Sequence, residues 1–341
     1  MRLTNVLIFF IALIVFLFTF LFDFSEKPQE KPKKEPKTHI VQNGFQVPER
    51  GLHTFMNQSS SIVTKHFGKP DRIDPTAYGY EWWIYGRHSE KYVQFGIEHG
   101  KVVSIFALGK DLQTQPFGIT KDANTILRHV NLSDTTSLTY KGAKIEFEFK
   151  EDELMTNPLI KFGNVWVQLY FDHFTNRLMA VRYVTPEILI KQRPYSFVYT
   201  GTIVEPPKLT DLQWADVEKA EAWEIFDMTN IIRMRNGLDP LNWNSGATKA
   251  AFGHSKEMYE KNYFGHESKW SGDLTARLQA EDVAFTEAGE NIASDYPDGL
   301  AAVCGWVNSD NHRQNVLNPD YTDLGVGVYH KYYTQDYIKA F

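Results

Sequence analysis

The sequence predicts an α+β protein: a strand-rich part, then a helix-rich part, both carried behind an apolar amino terminus. Three observations predict it. Aromatic and β-branched residues alternate with polar ones from about His53 to Tyr199. Helical periodicity takes over after Val204-Glu205-Pro206-Pro207-Lys208. Asn5 to Phe24 is nearly all apolar. Strands grouped before helices, rather than interleaved with them, are the pattern of an α+β chain.

The chain has 341 residues, about two domains' worth. Its 36 basic and 42 acidic residues leave a net charge of −6, which excludes the basic footprint that binding to nucleic-acid phosphates needs. Cys304 is the single cysteine, so there is no internal disulfide and no multi-cysteine zinc site.

From the amino terminus, residues 1–24 read as a transmembrane signal-anchor. The apolar run before Asp23 is long enough to cross a bilayer core of about 30 Å as a helix. Phe20, Leu21, Asp23 and Phe24 offer no small-residue cleavage site, and no cysteine follows for lipidation. Arg2 precedes the span, whereas Lys27, Lys31, Lys33, Lys34 and Lys37 follow it. Local counting of positive charge places the rest of the chain in the cytoplasm, but long domains are translocated whatever their charge. Residues 25–52 are expected to be a spacer, because the Lys/Glu/Pro tract Ser25 to Thr38 cannot bury a core.

Residues 53–203 are expected to be a β-rich domain with an internal duplication. Its first unit has a helix at Ser60 to His66 and strands at Tyr80 to Tyr85, Lys91 to Ile97 and Lys101 to Leu108. The second has a helix at Asp122 to His129 and strands at Lys144 to Lys150, Val165 to Asp172 and Arg177 to Val184. Glu98-His99-Gly100 and Thr175-Asn176 supply turns. Trp82, Trp83 and Trp166 are core by the simplest reading and a binding surface by the alternative. Residues 204–213 form the linker to a third segment, 214–341.

There, Thr210 or Asp211 caps a helix from Trp214 to Asn236, with Trp214, Val217, Ala220, Met228 and Ile231 on one face. A second helix, Ser245 to Asn262, carries Ala247, Ala251, His254 and Met258 on one stripe, where a histidine is simplest as a hydrogen-bonded core residue. Six blocks then follow in order: NIIRMRNGLDPLNWN (Asn230–Asn244), AAFGHSKEM (Ala250–Met258), NYFGHES (Asn262–Ser268), GENIA (Gly289–Ala293), WVNSDNHRQNVLNP (Trp306–Pro319) and DLGVGVY (Asp323–Tyr329). Together they resemble the CAP superfamily, the SCP-like family of cysteine-rich secretory, antigen 5 and pathogenesis-related 1 proteins. The resemblance is closest to its cysteine-poor Gram-positive branch. The β-rich part resembles the CAP-associated amino-terminal domain of that branch.

The resemblance implies an α-β-α sandwich with a cleft, and secretion or display at the cell surface. It therefore places both domains outside the cell membrane, against the local charge count. It also implies a cleft with two histidines and two glutamates, which fall on His266, Glu290, His312 and, in place of the second glutamate, Ser309. His254 and Glu257 are further polar groups from the preceding helix. Two imidazoles, His266 and His312, suit a divalent metal such as Zn²⁺, with Glu290 orienting one of them or acting as a catalytic base. No HExxH motif supports this independently.

Plainer roles stand beside these. Glu290, Asn291, Arg313 and Asn315 can pin loops, and Trp306, Tyr321 and Cys304 read as core. Ser309 beside His312 lacks the acidic partner of a nucleophilic triad. Two functions follow as expectations. One is a binding or scaffolding module for a cell-envelope ligand (lipid, wall glycan or protein). The other is a metal-dependent hydrolase of peptides or wall components.

Overall fold

The computed structural model describes residues 47–341, which form one compact unit. The expected membrane anchor and most of the spacer lie outside the described residues. Among the described residues no helix is long and apolar enough to cross a membrane. The spacer was expected to run to residue 52, yet Leu52 is buried and opens a 3₁₀ turn, Leu52–Phe55. The fold therefore begins slightly earlier than composition suggested.

The first unit has α1 (Ser60–Phe67) and the strands β1 (Arg72–Pro75), β2 (Glu81–Tyr85), β3 (Val93–Glu98) and β4 (Lys101–Ala107). The second has α2 (Ala123–Leu127), β5 (Thr135–Tyr140), β6 (Ala143–Glu148), α3 (Glu151–Thr156), β7 (Leu159–Phe162), β8 (Val165–Asp172) and β9 (Arg177–Val184). Then come α4 (Pro186–Gln192) and β10 (Ser196–Thr200). An antiparallel seven-stranded sheet has the order β1-β2-β3-β4-β9-β8-β7. The meanders β2-β3-β4 and β7-β8-β9 thus meet through their last strands.

The duplication recurs in local geometry. Ser59 and Asp122, the residues capping α1 and α2, each bridge the first residue of a final strand, Lys101 and Arg177. Asn57 and Thr120 both have positive φ, and a register shift interrupts each final pairing, at Gly96/Ile97 and at Tyr170/Phe171. One correspondence needs correcting. The expected strand Lys144 to Lys150 forms as β6, but in a separate sheet, β10-β6-β5. The short β7, which has too few residues to show alternation, takes its place in the repeat.

Trp82 and Trp166 are buried and Trp83 half-buried, so the tryptophans build core rather than a surface. The large sheet is covered on both faces, which is why β8 reads apolar almost throughout. One face packs on α1, α2 and the 3₁₀ turn; the other, with Trp82, Phe106 and Tyr170, joins a core shared with the carboxy-terminal domain.

That domain contains α5 (Asp211–Arg235), β11 (Asn242–Trp243), α6 (Ser245–Lys261), α7 (Leu274–Ala280), β12 (Glu287–Ser294), α8 (Gly299–Val307), α9 (Asp310–Val316), β13 (Asp323–Tyr329) and β14 (Tyr332–Lys339). The sheet order is β11-β13-β14-β12. Thr210 is the cap of α5: its hydroxyl accepts from the Gln213 N–H, and Gln213 returns the bond to the Thr210 N–H.

The helix α5 departs from the single apolar face expected. Glu221, Glu224 and Asp227 are buried as well, because that side meets the amino-terminal domain. Asp227 accepts from Arg72 and Arg87 at 2.9 Å, and Arg182 donates to Asp298 at 2.9 Å across the same boundary. The opposite layer is α6. It lies directly on β13, since a Cβ on Gly325 or Gly327 would come within 2.2 Å of Ala247 or 2.0 Å of Phe252 backbone atoms. The expected helix–sheet–helix sandwich is thus formed.

Candidate functional site

The site forms where α6, α7 and the loop between them meet the edge strand β12. Glu290 on β12 is its centre. Its carboxylate accepts from His266 Nδ1 at 2.8 Å and from Arg277 Nη2 at 2.6 Å. A carboxylate only accepts, so Nδ1 of His266 carries the proton and Nε2 is left as the free, basic nitrogen. The His266 side chain is 55% exposed, whereas that of Glu290 is 3% exposed. Burial alone would raise the Glu290 carboxyl, but the His266 bond and the Arg277 charge outweigh it and hold it below the ordinary range.

Arg277 also donates to the carbonyls of His266 and Gly272 at 3.0 and 2.9 Å, fixing the loop that presents His266. Glu257 serves the same loop. It accepts from the hydroxyls of Tyr263, Ser268 and Ser271, and these bonds keep it below the ordinary carboxylate range despite the opposing effect of burial. Its described partners are thus hydroxyls of that loop.

His254 is fully buried and holds the core position expected, beside the Gly265 backbone and with Nε2 3.8 Å from Glu290. Burial lowers its pKa, so it is neutral at pH 7. His312 on α9 is half-buried, and burial and then the proximity of His266 lower its pKa. The two cleft histidines are thus brought together. Ser309 begins α9 without making a side-chain cap bond, and supplies no carboxylate where the family pattern has one.

Two members of this cluster escaped sequence reasoning. Arg277 was an unremarked cation in LTARLQA; its signal was a charge on a stripe that also holds Leu278 and Leu274. Asp336 on β14 is paired directly across from Glu290, is fully buried, and has no donor to either oxygen. Burial, then the Glu290 charge, push it well above the ordinary carboxylate range. That direction is what two carboxylates at facing positions in a buried sheet require.

Asn291, Asn315 and Arg313 hold the surrounding loops, as expected. Asn291 donates to the His312 carbonyl at 3.1 Å and Asn315 to that of Glu290 at 3.1 Å. Arg313 reaches further, to Asp172 in the other domain at 3.0 Å. Trp306, Tyr321 and Cys304 are core.

The donor set does not complete a metal site. Among the described residues, no group of three or more His, Cys, Asp or Glu side chains is placed to hold an ion. His266 and His312 alone fall short of the three protein ligands of catalytic zinc centres, and Glu290 is engaged by His266 and Arg277.

The comparisons with known proteins agree with this architecture. Residues 56–195 match the model of the CAP-associated N-terminal domain, and residues 226–340 that of the cysteine-rich secretory protein family, CAP. The chain belongs to that family. It is 43% identical over 293 residues to the uncharacterized membrane protein YlbC of Bacillus subtilis, covering 86% of this chain and 85% of that one. A crystal structure of an extracellular SCP-domain protein from Bacillus anthracis is 42% identical, with TM-score 0.82, over 88% of this chain and 100% of that one. A cysteine-rich secretory protein from Staphylococcus aureus is 27% identical, with TM-score 0.76, over 86% and 96%.

Proposed function

We propose that this chain is a cell-surface binding or scaffolding module, anchored in the membrane through residues 5–24, with both folded domains outside the cell. One observation carries the reading. Glu290, the centre of the cluster, has its charge consumed internally by Arg277 and His266. The wall is therefore rigid and charge-balanced, with exposed imidazole edges for contact, and Ser309 leaves the family's second carboxylate absent. The names of the relatives, a membrane protein and an extracellular protein, support the placement.

The test is a binding panel with the full chain in detergent: lipid vesicles, wall-glycan fragments and surface proteins. Saturable binding of one class, weakened by His266→Ala, is the expected result. Absence of binding across the panel overturns the reading.

Hydrolysis is a second reading, favoured by the orientation of His266. Its free Nε2, backed by a carboxylate, is the arrangement of a general base. Turnover of a peptide or wall fragment that survives in His266→Ala defeats that mechanism.

A further inference from the structure

A second cleft lies away from the histidines, between the domains. Its volume is about 550 Å³, and none of its lining residues belongs to the histidine cleft. Small-molecule sites span about 300–1,000 Å³ and favour domain junctions. Here α3 and β8 of the amino-terminal domain face the segment from Ser294 to Pro297 and α8 of the CAP domain.

Three tyrosines line it and each is held in place; Tyr170 and Tyr195 are 2% and 5% exposed, so Tyr296 is the ring left part-exposed. Tyr195 accepts from Gln168 Nε2 at 3.1 Å and donates to the Asn157 carbonyl at 2.8 Å. Tyr170 donates to Gln168 Oε1 at 3.4 Å. Tyr296 lies so close to α8 that a Cβ on Gly305 would sit 2.1 Å from its hydroxyl, so glycine is what admits the ring. A fixed aromatic wall lowers the ordering cost of binding.

The polar part of the lining sets the ligand's chemistry. Lys150 is opposed by Asp152, Glu153 and Asp295, a net charge of −2, which disfavours phosphates and carboxylates. None of these four has an ion-pair partner among the described residues. The Asn157 side-chain oxygen is buried with no donor, although buried acceptors are nearly always satisfied. The cleft thus combines an aromatic face, amide and carboxylate acceptors, and an aversion to anions. An uncharged polyol with an apolar ring face and N–H or O–H donors meets all three conditions; a lipid leaves the acceptors unpaired.

We propose that the inter-domain cleft binds an uncharged glycan bearing N-acetylated amino sugars, with a ring face on Tyr296 and acetamido N–H or hydroxyls meeting the acceptors. This rests on the binding-module reading and adds to it a second site, with its own ligand class, apart from the histidine cleft. It also gives the rigid junction of the domains a purpose, since neither domain forms the cleft alone.

The experiment is calorimetric titration of the full chain in detergent with the N-acetylglucosamine trimer, repeated on Tyr296→Ala, Asp152→Ala, Leu212→Ala and His312→Ala. Wild type is expected to bind and Tyr296→Ala to weaken affinity about tenfold or more, while Leu212→Ala, an exposed position outside both clefts, leaves it unchanged. Asp152 is an exposed residue on α3, so its variant keeps the fold and is expected to weaken binding severalfold. No binding by wild type, or affinity unaltered in both Tyr296→Ala and Asp152→Ala, overturns the site. Binding lost in His312→Ala alone overturns it too, but leaves the binding-module reading standing on the histidine cleft.

Discussion

Glu290 shows how one residue can be both structural and functional. It neutralises the buried Arg277, orients His266, and faces Asp336 across the strand pair. Glu290→Gln strands the guanidinium, and breaking a buried pair this way costs about 3–5 kcal/mol. Urea unfolding is expected to show a loss of that size, against less than about 1 kcal/mol for His266→Ala, whose side chain is exposed. Asp336 predicts the opposite sign. A carboxyl whose folded pKa is raised stabilises most below its unfolded value, about 4, and that stability is lost as pH rises toward the folded value. Asp336→Asn is therefore expected to gain on wild type steadily from pH 4 to pH 8, as measured by urea midpoints. His254 and His312 act in the other direction. Their lowered pKa values give stability that is present above about pH 6.5 and lost on acidification. The site was partly legible at this scale: His266, Glu290 and His312 follow from blocks of sequence. Arg277 and Asp336 do not, because their importance arises only from facing Glu290 across a helix–strand contact and a strand pair.

Among the elements, α6 on β13 is the closest-packed contact of the carboxy-terminal sheet described above. The alternation in DLGVGVY puts Leu324, Val326 and Val328 on one face, in the core shared by the domains, and Gly325 and Gly327 under α6. Gly327→Ala forces its methyl into helix backbone, which cannot give way as a flexible side chain would. It is expected to lower stability by about 1–3 kcal/mol or more. Gly253→Ala is the control: it lies on α6 with nothing near its added methyl, and is expected to stabilise by about 0.5–1 kcal/mol. Thermal melting of the two variants checks both signs. Long elements such as β8, β9, α5 and α6 were readable in advance, from apolar runs or helical spacing bounded by turns and caps. The strands β1 and β7 and the helices α3 and α4 were not, since four to seven residues hold too little periodicity to register.

At the level of the molecule, the domains are joined by charge as well as by apolar packing. Asp227 on α5 holds both Arg72 and Arg87 while 1% exposed, and Arg182 holds Asp298. Asp227→Ala leaves two guanidinium groups without their shared acceptor at the boundary. Scanning calorimetry is expected to show one cooperative transition in wild type that splits or broadens into two in Asp227→Ala. Retention of a single sharp transition at lower temperature would show instead that the apolar core alone couples the domains.

By itself the sequence determined the α+β class and the family, because these rest on periodicity, punctuation and ordered motifs within contiguous stretches. Only the tertiary structure decided which buried charges meet. The pairing of Asp336 with Glu290, the Arg277 clamp, the polar second face of α5 and the cleft between the domains all bring together residues far apart in the chain. The physical reason is that a charge's state is set by its desolvation and its nearest partners. In a chain folded from two domains, neither is written in local sequence.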